Sequence, residues 1–185
     1  MSIPKFPEPV KLITSIIYQN TQYRDEALVY LKKKWGDVDH MEWALPFDYT
    51  DYYRGEMGTP LSRSFLSFKS LIDRQQLVEA KLYSNQIEIT LAKERGARTI
   101  NIDPGYLTES QVVLATGKNY SHRIYLKEGI FADLTLIYEH QGFRALSWTY
   151  PDYQSKPLVG ALLHIRKKYT EDKKDYESQG KIKKN

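Results

Sequence analysis

Cysteine is absent from all 185 residues. That excludes disulfides, thiolate-bound metals and a cysteine nucleophile. Histidine is scarce: His40, His122, His140 and His164 stand far apart, and no His-Glu-x-x-His run occurs, so a zinc site finds no cluster of ligands. The apolar stretch near the start, Val10 to Tyr18, is interrupted by Lys11, Thr14 and Ser15. It is too short to span a bilayer and too polar for the core of a signal peptide, so a cytoplasmic location is expected. No Gly-x-Ser-x-Gly elbow is present. A phosphate loop fails as well: Ala115-Thr116-Gly117-Lys118-Asn119 keeps only the Gly-Lys, with Val112 where the first glycine would stand and Asn119 in place of the hydroxyl.

What is present is an ordinary globular composition, 41% hydrophobic and 27% charged, over a length that suits one domain. The net charge of +4 is localised. From Arg166 onward eight basic residues face four acidic ones, which accounts for all of it and leaves residues 1–165 neutral. The basic balance therefore belongs to the C-terminal stretch from Arg166, which leads into an expected solvated tail, residues 170–185, after a domain over residues 1–169, and is not the footprint of a nucleic-acid surface.

The periodicities give an element order. Val10 to Tyr18 is apolar on both faces, as in a central strand, with Val10, Leu12 and Ile16 on one side and Ile13 and Ile17 on the other. Asn20 or Thr21 caps a helix whose stripe is Ala27, Leu28, Leu31 and Trp35 and which stops at Gly36. Val38 to Phe47 and Arg63 to Phe68 follow as strands. Asp73 with Gln76 forms a capping box for a long helix, Arg74 to Arg95, with Leu77, Ala80, Ser84, Ile87 and Leu91 buried and Gly96 as the stop. Arg98 to Asp103 is a fourth strand, ended by the turn Asp103-Pro104-Gly105. This order, β-α-β-β-α-β, predicts an α+β fold with a ferredoxin-like split βαβ core. Leu107 to Thr116 is expected as a short helix. His122 to Leu126 and Phe131 to Glu139 form an added C-terminal hairpin, a short strand follows Gly142, and a last helix capped by Ser155 buries Leu158, Ala161, Leu162, Ile165 and Tyr169.

Three blocks set acids beside aromatic rings: Phe47 to Gly58; Asn101 to Tyr106 together with Tyr120 to Arg123; and Trp148 to Tyr153. Loops and strand ends carrying such residues are where binding concentrates. With Arg63 to Phe68 and Ser121 to Leu126, these blocks are similar to a family of uncharacterised prokaryotic proteins, domain of unknown function 4416, over about Pro9 to Tyr169. The resemblance implies a small prokaryotic cytosolic protein and brings no activity, substrate or catalytic residue with it.

The chemistry of the blocks suggests a pocket for a small anionic ligand, a nucleotide or phosphorylated metabolite, with magnesium-assisted chemistry. Asp103 and His122 would exchange protons. Arg63 and Arg123 would grip the anion. Tyr52, Tyr53, Tyr106, Trp148, Tyr150, Asp152 and Tyr153 would surround it, and Asp48, Asp51 and Glu56 would offer oxygen ligands to magnesium. Each residue also has a plain structural reading: a turn at Asp103, a satisfied histidine at 122, tyrosines that tie loops down, solvated aspartates. The alternative is a non-enzymatic interaction module using exposed Tyr and Trp. RNA binding comes third, since Phe65 and Phe68 lack the surrounding signature and the first strand has no aromatic before Tyr18. Oligomeric state stays open.

Overall fold

The computed structural model describes residues 1–93 and 97–178. It is a mixed α/β architecture with one antiparallel sheet and four helices. Strand β1 (Val10–Tyr18) leads to α1 (Thr21–Trp35) and β2 (Val38–Phe47); the short α2 (Arg54–Met57) precedes β3 (Leu61–Ile72); α3 (Gln76–Thr90) precedes β4 (Ile100–Leu107). Then come β5 (Gln111–Thr116), β6 (Arg123–Lys127), β7 (Ile130–Glu139), β8 (Gly142–Ala145), a 3-10 turn (Pro151–Gln154) and α4 (Lys156–Ser178). The sheet runs β2-β3-β1-β4-β5-β7-β6, and β8 also pairs with β7.

The two-faced pattern of β1 is explained by layers. Leu12 and Ile16 pack with Leu31 and Trp35 of α1 and Ala80 and Ile87 of α3. Ile13, on the other side, packs with Leu158, Leu162 and Ile165 of α4. Every residue of β1 is buried, including Lys11. Its ammonium is held by the Asp39 carboxylate at 2.9 Å, the Phe68 carbonyl at 3.1 Å and Asp172 of α4. A buried cation needs such partners, and this one links the central strand to the covering helix.

Local signals explain the element ends. The Asn20 side chain accepts from the Gln22 N–H at 2.9 Å, and Gly36, at φ 87°, closes α1 by donating to the Lys32 carbonyl. Gln76 reaches back to the Asp73 N–H at 2.9 Å. The β6–β7 hairpin turns through Glu128 (φ 54°) and Gly129 (φ 75°), the paired positive angles of a tight hairpin.

Several expectations are corrected. Residues Gln111–Thr116 form a strand, not a helix: Val112, Val113 and Leu114 are buried between β4 and β7, where β-branched residues fit a pleated surface covered on both faces. Asp103-Pro104-Gly105 is not a turn but lies inside β4, opposite Ser15, Thr14 and Ile13 of β1. Helix α3 is shorter than its pattern, 15 residues, because the Leu91 carbonyl accepts from the Thr99 hydroxyl and the chain turns back. The expected stop at Gly96 and the end of the tail, 179–185, lie outside the described residues. Helix α4 continues through residues 170–178. The sheet has eight strands, more than a ferredoxin-like core with a hairpin and one short strand supplies; β5 is the added one.

Gly105 has a steric role. A Cβ there would stand 2.6 Å from the Val113 carbonyl oxygen and 2.7 Å from a Leu114 methyl. Gly105→Ala should therefore destabilise the protein by about 2 kcal/mol, lowering Tm by roughly 4–8 °C. Gly160→Ala, in an exposed turn of α4 with nothing within 4 Å, should raise stability by up to about 1 kcal/mol. Equal effects in calorimetry would contradict this account.

Candidate functional site

Strand β5 pairs with β4 only at Gly105, Tyr106 and Leu107. Upstream of Gly105, β4 stays with β1, while β5 beyond Leu114 stays with β7. The sheet thus forks at Pro104-Gly105, where Gly105 lets the strands touch and Pro104 has no N–H that would need a partner across the gap. A cavity of about 680 Å³ is lined by both arms of the fork, by α3, by the 47–53 segment and by the 3-10 turn.

Opening a sheet strands backbone groups. At Ile102 both are recovered by α3: the Glu88 carboxylate accepts from its N–H at 2.7 Å, and the Lys81 ammonium donates to its carbonyl at 2.9 Å. Lys81 also meets Asp103 at 3.0 Å, and Asn101 donates to the same carboxylate at 2.6 Å. Burial raises the Asp103 pKa, but the charge and hydrogen bond of Lys81, the Asn101 hydrogen bond and the charge of Arg63 together outweigh it, and the net shift is downward. The side chain keeps 33% of its surface open, onto the cavity. Glu88 goes the other way. Burial pushes it up to about 7, with Asp103 adding to the rise and Lys81 and the Ile102 N–H opposing it.

The opposite wall carries buried Arg63, paired with Asp152 and set between Phe47 (4.7 Å) and Tyr153 (5.3 Å). Its Nε has no acceptor, a loss of about 1–3 kcal/mol beside an open cavity. The Tyr53 hydroxyl is raised by burial and by Asp103. Arg98 binds Glu56 at 2.5 Å and lies 5.7 Å from the Tyr52 ring centre. Lys118 donates to the Tyr52 hydroxyl at 3.1 Å, which lowers that phenol's pKa. Arg123 donates to Asp133 at 2.9 Å, to the Lys118 carbonyl at 3.0 Å and to the Tyr150 hydroxyl at 2.9 Å.

Eight of the expected residues line this cavity: Asp103 and Arg63, Tyr52 and Tyr53, Arg123, and Tyr150, Asp152 and Tyr153. The Asp103–His122 pair is not formed. Strands β5 and β7 stand between β4 and β6 in the sheet order. His122 instead sits 3.3 Å from Asp133 and stacks on Trp148 at 4.9 Å. Trp148 in turn donates to the Leu134 carbonyl. Neither of these lines the cavity, nor does Tyr106, which packs against the core under Arg74. Asp48 is exposed, Asp51 pairs with Arg54 and Glu56 with Arg98. Among the described residues no group of three or more His, Asp or Glu comes together to hold a metal.

The residues missed from the sequence are Lys81, Asn85 and Glu88, with Arg98, Lys118 and Asp133. The first three had a signal: at positions i, i+4 and i+7 they share one face of α3, next to its apolar stripe.

The model of a family described as domain of unknown function (DUF4416) matches residues 8–169. No curated protein and no solved structure matches the chain.

Glu88 takes up a proton on folding between its ordinary value of 4.5 and about 7. Stability should therefore fall as pH rises through that window and level off above it. Glu88→Gln keeps the acceptor for Ile102 and removes the titration, so it should gain on the wild type by on the order of 3 kcal/mol from about pH 4 to about pH 8. Asp103, with its lowered value, acts at more acid pH and in the opposite sense. Thermal unfolding curves that stay parallel across the range would contradict the assignment.

Proposed function

The chain belongs to the DUF4416 family, whose description names no activity, and we propose from its geometry that it binds a small organic anion, a nucleotide or phosphorylated metabolite, in the forked cavity. The carrying observation is convergence: segments from nine parts of the chain bring buried charges and aromatic rings around one hollow. Its volume of about 680 Å³ falls in the range of small-molecule sites. The lining carries five cationic side chains (Arg63, Lys81, Arg98, Lys118, Arg123) against four carboxyls, one of them Glu88, part-neutral near pH 7. The buried Arg63 with its unmet donor is costly for a core and useful in a site built before its ligand arrives.

Concavity supports this reading over a flat aromatic interface. The order β2-β3-β1-β4, with α1 and α3 on one face, we take as a ferredoxin-like unit widened by β5 to β8. The lack of cysteine suits a cytosolic setting.

A thermal-shift panel of nucleotides and sugar phosphates tests the proposal. A ligand at a hundred times its Kd adds about 2.7 kcal/mol, a rise of several degrees. Replacing the buried pair together, Arg63→Met with Asp152→Leu, leaves no unpaired charge and should abolish the shift in a folded protein. A panel without shifts, or shifts that survive the double change, would sink the reading.

A further inference from the structure

Charges lining the cavity nearly all have partners in the protein. Asp103 meets Lys81, Asp133 meets Arg123, Asp152 meets Arg63, and Arg98 meets Glu56. Charges withdrawn from water need such compensation, and here the protein supplies it without a ligand. Lys118 differs. Its ammonium stands 3.1 Å from the Tyr52 hydroxyl and 4.2 Å from that ring's centre, with no carboxylate in ion-pair distance among the described residues. It follows directly on β5, at an exposed position where one arm of the fork reaches the surface.

The α3 side of the cavity has the complementary character. The Asn85 amide lines it and makes no hydrogen bond among the described residues. Glu88 spends one oxygen on the Ile102 N–H, and its second has no protein partner among the described residues. An amide and a half-titrated carboxyl both donate and accept, so they suit the hydrogen-bonding edge of an uncharged ring, whereas the ionised carboxyl would repel an anion. Between this side and Lys118 stand Tyr52 and Tyr53, whose rings meet edge to face at 5.0 Å, with Arg98 over both rings and Lys118 over that of Tyr52.

We propose that the ligand is an uncharged planar heterocycle carrying one anionic arm, of the nucleoside monophosphate class, bound with its ring toward Asn85 and Glu88 and its anion at Lys118. This rests on the reading of the cavity as a ligand site and adds the orientation. Specificity would come from the ring edge at α3, where an unmatched group leaves Asn85 unpaired. The anion at the rim would stay partly hydrated and contribute a salt-sensitive attraction.

The test is calorimetric titration of the common ribonucleosides and their 5′-monophosphates into the wild type, Lys118→Met and Asn85→Leu. For at least one base the monophosphate should bind the wild type about tenfold tighter than its nucleoside. Lys118→Met should bring the two to within about twofold of each other. Asn85→Leu should weaken both members of the pair alike. A charge preference that survives Lys118→Met, or an Asn85→Leu protein that binds nucleosides unchanged, overturns the orientation while leaving a ligand in the cavity. If no nucleoside or monophosphate binds but a sugar phosphate shifts Tm, the ring assignment is wrong and the anion pocket stands. If nothing anionic binds, both fall together.

Discussion

Two antiparallel strands that pair for three residues and then part create the space on which everything else depends. Pairing between β4 and β5 stops at Gly105. Beyond it the edge of β4 would expose a carbonyl and an N–H at Ile102 to a widening gap. Lys81 and Glu88 take the place of the missing strand. The constraint is stringent because a stranded backbone polar group costs as much as a lost hydrogen bond. The fork can stay open only if a neighbouring element delivers a donor and an acceptor at that height, and α3 packs against β4 so as to do so.

From this follows the electrostatic character of the cavity. Side chains recruited to hold the fork carry charge, and their charges demand partners. Lys81 draws Asp103 below the ordinary carboxylate range, while burial lifts Glu88 to about 7. Two carboxyls on neighbouring elements are thereby driven to different protonation states near neutrality, a familiar condition for sites that handle protons as well as for sites that bind. The second wall solves the same problem with the Arg63–Asp152 pair, clasped between Phe47 and Tyr153.

The opposite end of β1 shows how a similar residue serves a different purpose. Lys11 is as buried as Lys81, but its partners Asp39 and Asp172 close around it in a packed layer, with α4 as the lid. Lys81 has a hollow on one side. Only the surroundings separate a cation that ties a helix to a sheet from one that furnishes a site.

Much of this was legible in the chain. Both faces of β1, the stripes of α1 and α4 and the signals at Asn20 and Gly36 were set by local periodicity and backbone preference. So were the aromatic blocks at 47–53 and 148–153, of which 47–53 and 150–153 reach the cavity. Asp103-Pro104-Gly105 misled because Pro and Gly carry the same local meaning in a turn and in a fork; which one holds depends on whether β1 and β5 lie alongside. Asp103 lies on β4 and His122 at the entry to β6, and how far apart these strands stand is a matter of sheet order, which no local window contains. The sequence by itself determined the apolar stripes of β1, α1 and α4 and which segments would be rich in charge and rings, while Ile124 and Leu126, apolar and expected to face the core, are exposed on β6. Only the tertiary structure decided which charges meet, because pairing across a sheet is set by strand order and register, and those emerge from contacts between residues distant in the chain.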